Sequence, residues 1–255
     1  MRLRILGCSG GIGQNLRTSS FLVDDDILLD AGTGVGDLSL DEMRKIKHIF
    51  VTHSHMDHIA TIPLMVDTLF SELKQPLVVH ARAETIDLFK QHIFNWAIWP
   101  DFTELPTRDT PVLTFKPMKP GEVVEISGRS IEMVEVNHTV PAAAYLVKQA
   151  DKVLAYSGDT STNDTLWQAL NRQGNVDLLI VESAFSNHDL QLANLARHYC
   201  PSLLAADLKK LKHRPKLCIS HLKPGEEKRI MDECRAALGN DWDLYQLASG
   251  DVFQI

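Results

Sequence analysis

Residues 52–58 read THSHMDH and follow the apolar run HIFV, so three histidines and an aspartate crowd the end of one short strand-like segment. Imidazoles and carboxylates are costly to bury without partners, and a core gains nothing from collecting them. In extended chain, side chains two apart share a face, so His53 and His55 can reach one point. Asp57 and His58 come where the chain turns into a helix starting near Ile59, and can aim at a second point nearby. Mixed imidazole and carboxylate donors suit zinc, or manganese or iron, better than calcium or magnesium. Four donors are too few for two cations, so the fold must bring further donors to the same place. Three candidates end strand-like runs: His138 after IEMVEVN, Asp159 after VLAYSG and His221 after KLCIS. A layered sheet that gathers strand ends along one edge would unite them.

The rest of the chain fits such a sheet. Short apolar runs recur from LRILGC (3–8) to the C-terminal DLYQLASGDVFQI, and Ser127-Gly128 marks a hairpin turn. Helical patterns fall between them at 59–73, 83–95, 161–172, 189–198, 201–212 and 224–238, the last bounded by Pro224 and Gly239. Strands interleaved with helices imply an α/β layered architecture. At 255 residues, with no repeat or linker, a single domain spanning 1–255 is expected, carrying an aromatic-rich insert at about 90–106.

Composition excludes several classes. The formal charge is −7 and the densest basic stretch, LKKLKHRPK (208–216), reads as a solvated helix end, so nucleic acid is an unfavoured partner. No apolar run approaches the ~18 residues of a membrane helix. The four cysteines lack C-x-x-C spacing and disulfide density, and MRLRILGCSGG lacks the apolar core of a signal peptide. The cytoplasm is the expected compartment.

The order H-x-H-x-D-H, then histidine, then SGDT, then histidine at a late strand end resembles the metallo-β-lactamase superfamily. Asp30 in LLDAG (28–32) matches the aspartate that supports its metal loop. The resemblance implies a four-layer αββα metallo-β-lactamase-type sandwich with two divalent ions, zinc first among them, between the sheets. It implies that His53, His55 and His138 hold one ion, that Asp57, His58 and His221 hold the other, and that Asp159 bridges them. It also implies hydrolysis: paired cations lower the pKa of a shared water and stabilise charge developing on a substrate oxygen, with Asp57 part of the catalytic centre.

The fold hosts hydrolysis of many esters, so other segments must select the bond. KQHIFNWAIWPDF (90–102), VDLLIVESAFSN (176–187), ARHYCPSLLAADLKKL (196–211) and ISHLKP (219–224) together resemble the class II 3',5'-cyclic nucleotide phosphodiesterases. Met56, Thr61, Pro63, Tyr199 and Cys200 depart from that family's usual residues. The resemblance implies attack on the cyclic phosphodiester by a metal-bridging hydroxide, giving a 5'-monophosphate. His198 is then the candidate acid or phosphate ligand. Glu182, ending LLIVE, is placed at the substrate site, where its carboxylate could orient a ligand histidine. GCSGGIGQN (7–15) lacks the P-loop ending and is expected to form a turn at the metal rim, with Asn15 facing substrate. Phe94, Trp96, Trp99 and Phe102 are expected to form a homodimer contact that partly covers the site. The remaining histidines, among them His48 and His80, read as structural or surface groups. The alternatives are the same site acting on an RNA 3'-end or an aryl sulfate or phosphate ester, or a non-catalytic metal-binding domain.

Overall fold

The computed structural model describes residues 1–255. The N-terminal half lays down β1 (Arg2–Gly7), β2 (Ser20–Val23), β3 (Ile27–Ala31), β4 (His48–Phe50) and β5 (Leu77–Arg82). A two-stranded ribbon, β6 (Pro106–Thr107) and β7 (Thr110–Pro111), precedes β8 (Leu113–Met118). The second half supplies β9 (Val123–Ile126), β10 (Arg129–Val136), β11 (Ala142–Gln149), β12 (Lys152–Tyr156), β13 (Leu178–Glu182), β14 (Lys216–Ser220) and β15 (Leu244–Gln246). A last strand, β16 (Val252–Gln254), returns to pair with β1. Two seven-stranded sheets result, ordered β16-β1-β2-β3-β4-β5-β8 and β15-β14-β13-β12-β11-β10-β9.

Alternation along the strands explains why these sheets face each other. In β10, Ile131 and Met133 point into the space between the sheets, where they join Tyr145, Leu154 and Ile180 against Ile5, Phe21, Leu29 and Phe50. Val134 and Val136 point the other way. There the second sheet is covered by α5 (Thr165–Arg172), α7 (Pro201–Leu208) and α8 (Glu227–Leu238), whose Trp167, Leu204 and Ile230 are fully buried. The outer face of the first sheet carries α3 (Thr61–Leu69) and α4 (Ala83–His92) through Ile62, Val66 and Phe89. Three short helices lie in connections: α1 (Leu40–Met43) between β3 and β4, α2 (Met56–Ile59) between β4 and α3, and α6 (Leu190–Ala196) between β13 and α7. This is the expected four-layer αββα sandwich.

Local details differ from the sequence reading. The helix expected from 59 starts earlier, at Met56, takes in Asp57 and His58 and breaks at Ala60 into α2 and α3. The helix expected from 161 begins at Thr165, because the Asn163 side chain accepts from the Leu166 amide and holds 161–164 as a loop. The turn between β9 and β10 has both Ser127 and Gly128 at positive φ, the geometry of a tight hairpin.

Strand direction positions the site. β12, β13 and β14 run parallel, and β10 runs the same way because two antiparallel pairings separate it from β12. The residues following all four strands therefore emerge on one edge. In the first sheet β3 and β4 are parallel, and their C-terminal ends carry Asp30 and the THSHMDH segment.

Candidate metal centre

His53, His55, His138 and Asp159 offer ligand atoms that all lie within 4.8 Å of one another, and so do Asp57, His58, Asp159 and His221. Asp159 belongs to both groups. Each residue reaches this place through its element. His53 follows β4; His55 caps α2 while Asp57 and His58 form its first turn; His138, Asp159 and His221 follow β10, β12 and β14.

Close packing of backbone fixes two of these turns. Gly158 has φ +59, and a Cβ there would stand 2.8 Å from the Ala143 carbonyl oxygen, so the bend that delivers Asp159 requires glycine. A Cβ on Gly32 would lie 2.3 Å from the Asp57 carbonyl oxygen, so only glycine lets the loop after β3 support the metal loop.

Asp30 is the hub beneath the cluster. Wholly buried, it accepts from the Thr52 amide at 2.7 Å, the Thr52 hydroxyl at 2.9 Å and the Tyr156 hydroxyl at 2.8 Å. Its Oδ2 lies 2.6 Å from His58 Nδ1, which fixes that ring with Nε2 turned toward the cluster. The carbonyl of Arg197 plays the same part for His138, accepting from Nδ1 at 3.0 Å.

The donor set fits divalent cations. His53 Nε2 and His58 Nε2 are buried and have no hydrogen-bond partner, an expensive arrangement unless something else satisfies them. His138 Nε2 and His55 Nδ1 face each other at 3.2 Å. Two imidazole nitrogens on one tetrahedral zinc, each bound at 2.0–2.1 Å, stand about 3.3 Å apart. Asp159 Oδ2 is 3.3 Å from His58 Nε2 and 3.7 Å from His53 Nε2, while its Oδ1 is 3.3 Å from His221 Nδ1. The carboxylate thus faces both histidine sets.

Electrostatics agree with that chemistry. Burial holds His53 well below the usual imidazole range and pushes His221 down to about 4, which keeps both neutral as ligation requires. Burial opposes ionisation of Asp159, but His221 and His58 outweigh it and hold the carboxyl well below the usual range. His58 goes the other way: burial disfavours its cation, yet Asp159 and Asp30 prevail and raise it well above the usual value, so a metal ion would have to displace that proton.

A third group, Asp159, Glu182 and His198, adjoins the first two. Its placement corrects the reading of Glu182 as a residue facing substrate. Glu182 is fully buried, and its oxygens are taken by the amides of Thr160, Ala184 and Tyr199 and by His198 Nδ1 at 2.7 Å. It orients His198, and none of the metal-type histidines. The His198 ring stands 4.9 Å from that of His138 and 5.4 Å from that of His221, between the two sets. Burial opposes its protonation, but Glu182 reverses the balance and raises it above the usual value.

Other expected site residues lie elsewhere. The loop 7–15 does pack against the metal rim, the Cys8 carbonyl accepting from the His221 amide at 2.7 Å. Asn15 itself is exposed, at φ 62, in a hollow with Cys8, Ser9, Arg17, Leu222 and Gln246 that includes none of the seven clustered donors. The loop tip turns it outward. Phe94 and Phe102, expected at a subunit contact, are buried in the core under the first sheet. Trp96 is exposed, and Trp99 walls an apolar groove of about 540 Å³ with Met56, Leu64 and Ile98. His48 and His80 pair at 3.1 Å, away from the cluster. Thr52, Tyr156 and Arg197 support the cluster although the motifs pass over them. Only their positions beside β4, on the inner face of β12 and before His198 could have suggested it.

Comparison with known proteins places these observations. Residues 26–237 match the model of the beta-lactamase superfamily domain. A Yersinia pestis protein named "Probable 3',5'-cyclic-nucleotide phosphodiesterase" is 26% identical over 229 residues, covering 79% of this chain and 65% of that protein. A 3',5'-cyclic-nucleotide phosphodiesterase of Aliivibrio fischeri is 25% identical, with 80% and 73% covered. Ribonuclease Z of Haloarcula marismortui is 32% identical over 163 residues, 60% of this chain and 49% of that enzyme. The chain therefore spans between half and three quarters of the length of these relatives. Among solved structures, unliganded yeast PDE1 superposes with TM-score 0.81 at 19% identity, covering 99% of both chains, which bears on the fold alone. Matched over most of its length, with two sheets enclosing a histidine and aspartate cluster able to hold metal ions, the chain belongs to the metallo-β-lactamase superfamily of hydrolases.

Proposed function

We propose that this protein is a dinuclear metal-dependent phosphodiesterase that hydrolyses 3',5'-cyclic nucleotides, cAMP or cGMP, to 5'-monophosphates. The observation that carries the reading is one buried carboxylate, Asp159, common to two four-residue donor groups and adjoining an oriented histidine. His53, His55 and His138 would hold one cation, Asp57, His58 and His221 the other, with Asp159 serving both. Zinc suits this donor set, with manganese or iron as alternatives. When bound, such a pair supplies an activated water at neutral pH and offsets charge on the phosphoryl oxygens.

The chain's own residues do the rest. Glu182 fixes the His198 ring through Nδ1 and favours its protonated form, so Nε2 can deliver a proton to the departing ribose 3'-oxygen. Two relatives named as cyclic-nucleotide phosphodiesterases support this substrate. The likeness to ribonuclease Z supports a second reading, cleavage at an RNA 3'-end, against which stand the charge of −7 and the lack of a dense basic arm. The exposed Met56, Leu64 and Ile98 around the apolar groove support a homodimer. The four cysteines are free thiols, which suits the cytoplasm.

Turnover by the zinc-loaded protein separates the readings. Cyclic nucleotides are expected to be hydrolysed in preference to an aryl sulfate and a precursor tRNA. Cleavage of the tRNA without turnover of cAMP or cGMP would overturn the assignment.

A further inference from the structure

Arg197 differs from every other arginine in the chain. The others are ion-paired with carboxylates or, in the case of Arg214, laid over the Trp242 ring at 4.6 Å. The Arg197 side chain makes one hydrogen bond, from Nη1 to the His138 carbonyl oxygen at 2.8 Å, and no ion pair. In a chain of net charge −7, an arginine left without a counter-charge is conspicuous.

Its setting bears on the site. Arg197 closes α6 at φ 52, ψ 52, the left-handed conformation that glycine or asparagine adopts at least cost. The main chain there is occupied, because its carbonyl accepts from His138 Nδ1. The side chain borders a hollow of about 310 Å³ walled by Arg82, Asn137, His138, Thr139 and Pro141. Arg82 is offset by Glu84 at 3.2 Å and Glu135 at 2.8 Å, and Glu135 also lines the hollow. The free positive charge is therefore that of Arg197. His138 is shared: its main chain and Nδ1 face Arg197, and its Nε2 faces the metal-type cluster.

We propose that Arg197 anchors the phosphate of the substrate. With Nη1 fixed on His138, the guanidinium keeps further N–H groups unpaired beside the hollow, and such a planar fork can pair with two phosphate oxygens. The hydrogen bond to the His138 carbonyl holds the guanidinium beside that residue. The proposal rests on the phosphodiesterase reading for its substrate, but the anion site can be measured without turnover.

Binding of inorganic phosphate to the zinc-loaded protein, followed by titration calorimetry, tests it. Arg197→Gln should weaken phosphate by about tenfold, the scale of a lost charge-assisted pair. Arg197→Lys should fall between the two, having kept the charge and lost the fork. Arg197→Gly, which suits the left-handed backbone, should keep the melting temperature and metal content and still lose phosphate affinity. With a diester substrate the loss should fall on KM more than on kcat. The proposal is overturned if the unaltered protein binds no phosphate, if the variants bind it equally, or if affinity falls only in step with metal content. Failure of the cyclic-nucleotide reading would look different: no cAMP turnover by the unaltered protein, with the effect of the variants on phosphate intact.

Discussion

His198 and Glu182 lie sixteen positions apart, one after α6 and the other at the end of β13, yet they form one unit through a 2.7 Å contact. Each is visible in the sequence as a polar residue where an element ends. Their pairing is not, because it depends on the route of α6 back over the sheet. The same holds for Asp30 and Tyr156, whose 2.8 Å hydrogen bond joins strands of opposite sheets. Asn15 was misplaced for the converse reason: a glycine-rich loop gives no sign of the direction in which its tip will turn. A definite consequence follows for the pair. His198→Ala is expected to keep normal metal content and lose roughly 10²–10⁴-fold in turnover, the usual worth of a positioned proton donor. Glu182 raises the His198 pKa, so the protonated form persists to higher pH with it than without it. Glu182→Gln should therefore move the alkaline limb of the rate profile to lower pH. An unmoved limb would remove His198 as the titrating acid.

Elements were easier to read than their edges. The apolar runs named nearly all the long strands, and Gly239, which tolerates positive φ, marked the end of α8, whereas Pro224 proved to stand in a turn three residues before that helix begins at Glu227. The loop at 161–164 escaped, since Asn163 competes with the helix for its own amides. Helix α7 matters beyond its length, because it begins just after His198 and is tied down by Asp207. That carboxylate, buried in the packing of α7 on α5, accepts from Trp167 Nε1 at 3.0 Å, the Tyr199 hydroxyl at 2.7 Å and the Asn163 amide at 3.1 Å. Asp207→Ala strands these donors, each worth about 1–3 kcal/mol when left buried without a partner. Urea denaturation should show a loss of about 2–4 kcal/mol. A loss below about 0.5 kcal/mol would mean that water replaces the carboxylate.

At the scale of the molecule, the two sheets are what turn scattered motifs into one centre. Parallel strands send their C-terminal ends the same way, so donors at positions 53 to 221 meet although no local pattern predicts their distances. The aromatic insert was legible as apolar but not as to which side it buried: Phe94 and Phe102 went into the core, leaving Trp96 and Ile98 outside. The exposed groove leads to a further expectation. Sedimentation should find two copies associated, and Ile98→Glu combined with Leu64→Glu should give single chains. A single chain before substitution would leave the groove to another role. The central claim is the sharing of Asp159 by two cation sites. Counting zinc per chain by elemental analysis after equilibrium dialysis tests it most directly. Two ions per chain are predicted, with both depleted in Asp159→Ala, whereas a single ion per chain, or full loading of the Asp159→Ala protein, would contradict it.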